Sequence, residues 1–152
     1  MKKFLAVLSL ILVSLSISTP LFAATPEQEK AFVDAYKKAF EAKDEAALKA
    51  FLYTKGADPQ VLQFYIMMMT ESAGGKVASI ELVALTPEDV KKADATQPGP
   101  GGQDLKLPLK PYKKLVTKVE TKDANGSSSS TSESMVAEKD GKLVIPVPAP
   151  VK

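Results

Sequence analysis

An apolar run from Phe4 to Ile17, preceded by Lys2 and Lys3 and followed by Pro20-Leu21-Phe22-Ala23-Ala24, decides how much of this chain is left to fold. A basic start, an apolar stretch and a small-residue end, in that order, mark a cleavable secretory signal peptide. Cutting after Ala23 leaves Leu21 at the third-from-last place, whereas cutting after Ala24 would put the bulkier Phe22 there. Residues 1–23 are therefore expected to be removed and the exported protein to begin at Ala24, in a periplasmic or extracellular location. A membrane anchor is the weaker reading. The run is about 14 residues, interrupted by serines at 9, 14 and 16, against about 20 needed to span a bilayer, so no stable span is expected after cleavage. No cysteine follows the run, which closes the lipoprotein route.

The 129 residues that remain make one domain, large enough to bury roughly two thirds of its unfolded surface. With no cysteine anywhere, packing and hydrogen bonds must hold it together, and thiol, zinc-thiolate and redox chemistry are excluded. Histidine is absent too, which removes the commonest general base near neutral pH, the commonest metal ligand and any Ser-His-Asp triad. All 20 basic residues are lysines. The planar guanidinium fork for phosphates and carboxylates is thus missing, although single lysines can still act as point charges. Lys2 and Lys3 leave with the signal peptide, so the remainder carries 18 lysines and 18 acids and is close to neutral. Such a surface releases few counterions, and no nucleic-acid partner is expected. Nor is a metal or organic cofactor.

Thr25-Pro26-Glu27-Gln28 reads as a capping box with proline at the first helical position. Phe32, Ala35, Tyr36, Ala39 and Phe40 then form one apolar stripe, while Asp34, Lys37, Lys38 and Glu41 point elsewhere. Asp44 caps a second helix expected through Tyr53, with Gly56 beyond its end. Asp58-Pro59 opens a third, and Val61 to Thr70 is apolar nearly all round, which predicts a central helix packed on several sides and ending at Gly74-Gly75. Val77 to Leu85 reads as a strand, and Thr86-Pro87-Glu88-Asp89 starts a short helix. Ala95 to Pro111, with Gln97-Pro98-Gly99-Pro100-Gly101-Gly102 inside it, reads as a flexible loop. Tyr112 to Lys122, Ser129 to Lys139 and Lys142 to Val147 follow as an antiparallel meander, turned at Asp123 to Gly126 and at Asp140-Gly141. The single domain is expected over 24–148, with the proline-rich tail 149–152 frayed. The fold class is α+β, with N-terminal helices packed on a curved antiparallel sheet that ends in the three-strand meander.

This element order, with Phe32-Val33-Asp34-Ala35-Tyr36 and Glu138-Lys139-Asp140-Gly141-Lys142-Leu143, resembles small exported members, of unassigned activity, of the nuclear-transport-factor-2-like superfamily. The superfamily is also called cystatin-like or ketosteroid-isomerase-like, and the resemblance covers most of residues 25–148. It implies a curved sheet wrapped around the first helix, leaving a cone-shaped cavity that is catalytic in some members and serves binding or assembly in others. Fold alone does not choose among these roles.

Several constellations have plainer explanations. Met67-Met68-Met69, with Met135, suggests a soft copper site, but consecutive helical residues stand about 100° apart, so the three sulfurs fan out instead of converging. Core filling is the better account. Asp34, Glu41, Glu81 and Glu120 with Tyr36, Tyr53, Tyr65 and Tyr112 are the available acid-base groups. Ketosteroid isomerase works with aspartates and a tyrosine, so the lack of histidine does not exclude such chemistry. Asp34 falls on the polar side of the first helix, while Glu81 interrupts an apolar strand and is either a site group or an outward-facing residue. Gln97 to Gly102 lacks the Gly-Lys-Ser/Thr ending of a phosphate-binding loop. Asn125-Gly126-Ser127 matches a glycosylation sequon but also an ordinary turn, and Ser127 to Ser132 reads as a solvated strand or a loose linker, the strand being the preferred reading.

The leading expectation is a non-enzymatic module binding a small apolar ligand or an envelope protein, with Tyr36, Tyr65, Met68 and Glu81 bordering the site. A ketosteroid-isomerase-like enzyme using Asp/Glu and Tyr, and a structural subunit that forms a homodimer through its sheet face, are the alternatives. The sequence does not separate the three.

Overall fold

The computed structural model describes residues 24–71, 73, 75–123 and 126–151. Residues 1–23, expected as a signal peptide, lie outside the described residues, as do Gly74 of the expected helix end and Asn125 of the sequon. In chain order the elements are α1 (Pro26–Glu41), α2 (Glu45–Lys49), β1 (Leu52–Tyr53), α3 (Pro59–Glu71), β2 (Lys76–Ala84), α4 (Pro87–Asp94) and β3 (Gln97–Pro98). A 3-10 turn (Pro100–Gly102), β4 (Asp104–Lys106), β5 (Lys113–Asp123), β6 (Gly126–Lys139), β7 (Lys142–Pro146) and β8 (Ala149–Pro150) complete it.

Local signals place the first helix. Thr25 Oγ1 accepts from the Gln28 amide at 3.3 Å and Gln28 Oε1 accepts from the Thr25 amide at 2.8 Å, the reciprocal pair of a capping box. The stripe of Phe32, Tyr36, Ala39 and Phe40 is buried. α1 packs on a five-stranded sheet of order β1-β7-β6-β5-β2. Along β5 Leu115, Thr117 and Val119 are buried while Lys118 and Glu120 are exposed, the period-two alternation of a sheet with one wet face. Val136, Ile145 and Val147 complete the core beneath the helix. Asp140 and Gly141 turn β6 into β7 with φ of +52° and +76°, the left-handed pair that an Asp-Gly hairpin requires.

The α+β class and the meander stand, and three expectations change. α2 stops at Lys49, because the carbonyls of Phe51 and Tyr53 accept from the amides of Ile145 and Val147 at 2.8 and 3.1 Å. That makes Leu52–Tyr53 a parallel strand and the sheet mixed instead of antiparallel. The segment 95–111, expected as a loop, carries β3, the 3-10 turn and β4. The tail, expected to fray, supplies β8, which pairs with β4 at Leu105↔Pro150 and Lys106↔Ala149. In the resulting small sheet, of order β3-β4-β8, the prolines occupy the two edge strands, where a missing amide breaks no inner ladder.

Candidate functional site

The third helix departs most from expectation. Val61 and Met69 are buried and Leu62, Tyr65 and Ile66 pack on the core, yet Phe64, Met67 and Met68 remain 51, 51 and 48% exposed. At about 100° per residue, 61, 62, 65, 66 and 69 share one side and 64, 67 and 68 the other. The helix lies at the margin, beside α2, and is packed on one side only.

From that margin Tyr65 forms one wall of a cleft of about 180 Å³, with Leu105, Leu107 and Met135 as further walls and Lys92 and Lys106 on its border. No carboxylate lines it. Each wall has an identifiable support. Leu105 is buried in β4, and the chain crosses it so closely at Gly99 that a Cβ there would lie 2.5 Å from the Leu105 side chain. Lys92 rides on α4, whose start is fixed by a second capping box: the Asp89 amide donates to Thr86 Oγ1 at 3.1 Å and the Thr86 amide to Asp89 Oδ2 at 2.9 Å. Lys114 joins that box to β6, its Nζ 3.1 Å from Asp89 and 3.0 Å from Glu133. The hydrogen bonds from Thr86, then Lys114, hold the Asp89 carboxyl down at about 2. Burial raises the Tyr65 phenol above its ordinary value, so it enters the cleft as a neutral O–H. Lys92 and Lys106 make no ion pair among the described residues.

The four residues expected to border a site are not brought together. Tyr36 is 4% exposed, its ring packed against Phe32, Phe40 and Phe51 at centroid distances of 6.4, 6.1 and 5.3 Å, and burial pushes its phenol up to about 12. It stands in the aromatic core beneath α1, where the resemblance led us to expect a cavity wall. Met68 faces outward, and Glu81 is exposed beside an open groove formed with Glu29, Lys30 and Val33 of α1. Only Tyr65 lines the cleft. Asp34 and Glu41 form i,i+4 pairs with Lys30 and Lys37 on the outer face of α1. Met69 is buried while Met67 and Met68 are exposed, so the consecutive methionines fan out as helical geometry requires, and of the three only Met69 fills the core as expected.

The structure does join one tyrosine, Tyr112, to a carboxylate that was not among those singled out from the sequence, Glu29. Tyr112 Oη donates to Glu29 Oε1 at 3.4 Å, and Lys113 Nζ lies 2.6 Å from Glu29 Oε2. Burial first, and then the charges of Glu29 and Glu138, keep Tyr112 protonated well past the ordinary phenol range. A second cleft, of about 490 Å³, opens beside it between Leu109, Pro111 and Glu138. Glu29 lies on the inner stripe of α1, three residues before Phe32 and seven before Tyr36, a signal available in the sequence. With Lys113 in place the trio fastens the start of α1 to the start of β5. Among the described residues no three acidic side chains converge as a metal site would need, and no helix is long and apolar enough to cross a membrane.

No protein-family model and no curated protein matches the sequence. Among solved structures, the chain is similar to a protein of unknown function from Mycobacterium tuberculosis, at 12% identity and a TM-score of 0.43, over 82% of this chain and 69% of that one. It is also similar to a candidate polyketide cyclase from Xanthomonas campestris pv. campestris, at 16% identity and a TM-score of 0.38, over 82% and 91% of the two chains. Both likenesses are coarse ones of fold, and no role passes from either protein to this chain.

Proposed function

We propose that this chain is an exported, non-enzymatic binding module whose cleft between α3 and α4 takes a small apolar molecule carrying an anionic group. The observation that carries the reading is the lining: Tyr65, Leu105, Leu107 and Met135 offer apolar surface, while Lys92 and Lys106 stand at the border with no carboxylate to neutralise them. An apolar body gains from leaving water, and a carboxylate or sulfate at the border gains a point charge without giving up buried polar partners. At about 180 Å³ the cleft is smaller than a drug-sized pocket, so a short chain or a single ring fits it better than a steroid. The element order supports placing the chain with the nuclear-transport-factor-2-like superfamily, and the Phe4–Ile17 run supports export, which an intact mass beginning at Ala24 would check. The enzymatic alternative has less support, since Tyr36 is in the core and Glu81 is exposed.

Titration with octanoate and with octanol, followed by amide chemical shifts, tests the reading. Octanoate is expected to shift the amides of Tyr65, Leu105 and Met135 and to bind about fivefold tighter than octanol, the equivalent of about 1 kcal/mol for an exposed ion pair. Lys106→Glu is expected to erase that preference. Equal binding of the two would remove the anionic part of the proposal, and shifts confined to other residues would remove the cleft.

A further inference from the structure

The paired strands β5 and β6 run on past the rest of the sheet. β2 accompanies β5 only as far as Lys76↔Glu120, and β7 accompanies β6 only over Ala137 to Lys139. From Gly126 to Glu133 every residue of β6 is exposed, and the outer edge of that stretch pairs with no strand among the described residues. A bare strand edge is a template for another strand, and proteins ordinarily blunt it with lysine, proline or a bulge. The opposite edge of this sheet is blunted in that way: β2 carries Lys76, a register shift between Val77 and Ser79, and Glu81. Gly126-Ser127-Ser128-Ser129-Ser130-Thr131-Ser132-Glu133 has no lysine and no proline, and its pairing with β5 runs without a register shift.

We propose that this edge pairs with the same edge of a second copy of the chain, antiparallel about a two-fold axis, giving a continuous sheet of order β5-β6-β6-β5 across the dimer. The charge pattern is what selects this occupant. A two-fold through Ser130, perpendicular to the sheet so that opposed residues share a face, places Ser129 opposite Thr131, Ser128 opposite Ser132, and Ser127 opposite Glu133. Hydroxyl therefore faces hydroxyl, and the only charge, already bridged by Lys114, meets no like charge. An unrelated extended peptide would need side-chain pockets along the edge for selectivity, and a row of serines provides none. The contact uses the strand edge, distinct from the sheet face that the resemblance had suggested for dimerisation.

Sedimentation equilibrium of the purified protein, from micromolar to millimolar concentration, together with amide exchange at both ends of that range, tests this. The mass is expected to rise towards twice that of the monomer, with exchange slowing at Gly126 to Glu133 in step. Ser129→Lys with Thr131→Lys, both at exposed positions, should abolish the rise and leave the melting temperature at the lowest, monomeric concentration unchanged, while Ser129→Thr should preserve the rise. A mass that stays monomeric at millimolar concentration would overturn the proposal. So would a dimer indifferent to the two lysines, or one whose slowed amides lie on the sheet face.

Discussion

α1 and α3 are both rich in large apolar residues, and the structure treats them differently. In α1 the apolar residues keep to one stripe, and Lys30, Asp34, Lys37 and Glu41 hold the other side, so only one orientation buries the stripe without burying charge. In α3 no charge stands between Pro59 and Glu71, and the outer side mixes the exposed Gln60 and Gln63 with Phe64, Met67 and Met68, so its contrast with the inner side of Val61 and Met69 is weaker than in α1. An apolar-all-round helix has two physical solutions: burial on every side, or a position at the margin with one side left for water or a partner. The lesson is that periodicity reports orientation chiefly through charged residues, and a helix that carries none before its last residue does not announce how deep it lies.

The comparison breaks most sharply at Phe40. It is 2% exposed on the buried side of α1, and Phe40→Ala should cost about 3–5 kcal/mol in denaturant unfolding, from lost transfer energy and the cavity left behind. A loss under about 1 kcal/mol would mean that α1 is no more deeply anchored than α3.

A second test concerns how α4 is anchored, through Asp89. Its carboxyl lies at about 2 when folded, below the ordinary 3.8, held there by Thr86 first and by Lys114. As pH falls, the unfolded chain takes up this proton before the folded one does. The stabilisation is therefore complete above about 4 and is lost as pH drops towards about 2. Melting temperatures of the wild type and Asp89→Asn across that window should show a shallower acid slope for the variant. Asp58 and Glu27, also lowered, supply the slope that remains. Identical slopes would show that the Thr86–Asp89–Lys114 network does not anchor α4.

What the sequence made legible is what short-range physics determines. Both threonine capping boxes, their first-turn prolines and the Asp140-Gly141 turn need only neighbouring residues, and all are present. β1 was hidden because Leu52 and Tyr53 have acceptable helical propensity, and only β7, from the far end of the chain, offers their neighbours a better hydrogen-bonding partner. β3 and β8 were hidden because Pro98 and Pro150 read as breakers, which holds for inner strands but not for the edges they occupy. The cleft left no trace of spacing, since Tyr65, Lys92, Leu105 and Met135 come from four different elements. Tyr36 could be placed on the inner stripe, but whether that stripe met a cavity or a core depended on how closely Phe51 approaches it.

The smallest expected effect is the most informative about α3. Met68→Lys adds a charge to a helix already rich in apolar residues, and a helix buried on all sides would lose several kcal/mol from an unpaired charge in its interior. With Met68 about half exposed, the lysine stem can lie along the surface with its ammonium in water, and the change in stability should stay within about 0.5 kcal/mol. A hydrophobic probe dye separates this from a trivial surface change. Phe64, Met67 and Met68 together make one apolar stripe, so the wild type should bind the dye and Met68→Lys should weaken that binding at unchanged helix content. Thermal melts and dye titrations of the two proteins check both halves. A cooperative loss of fold on Met68→Lys would return α3 to the interior, and dye binding that ignores the substitution would place the probe elsewhere, with the α3–α4 cleft as the next surface to examine.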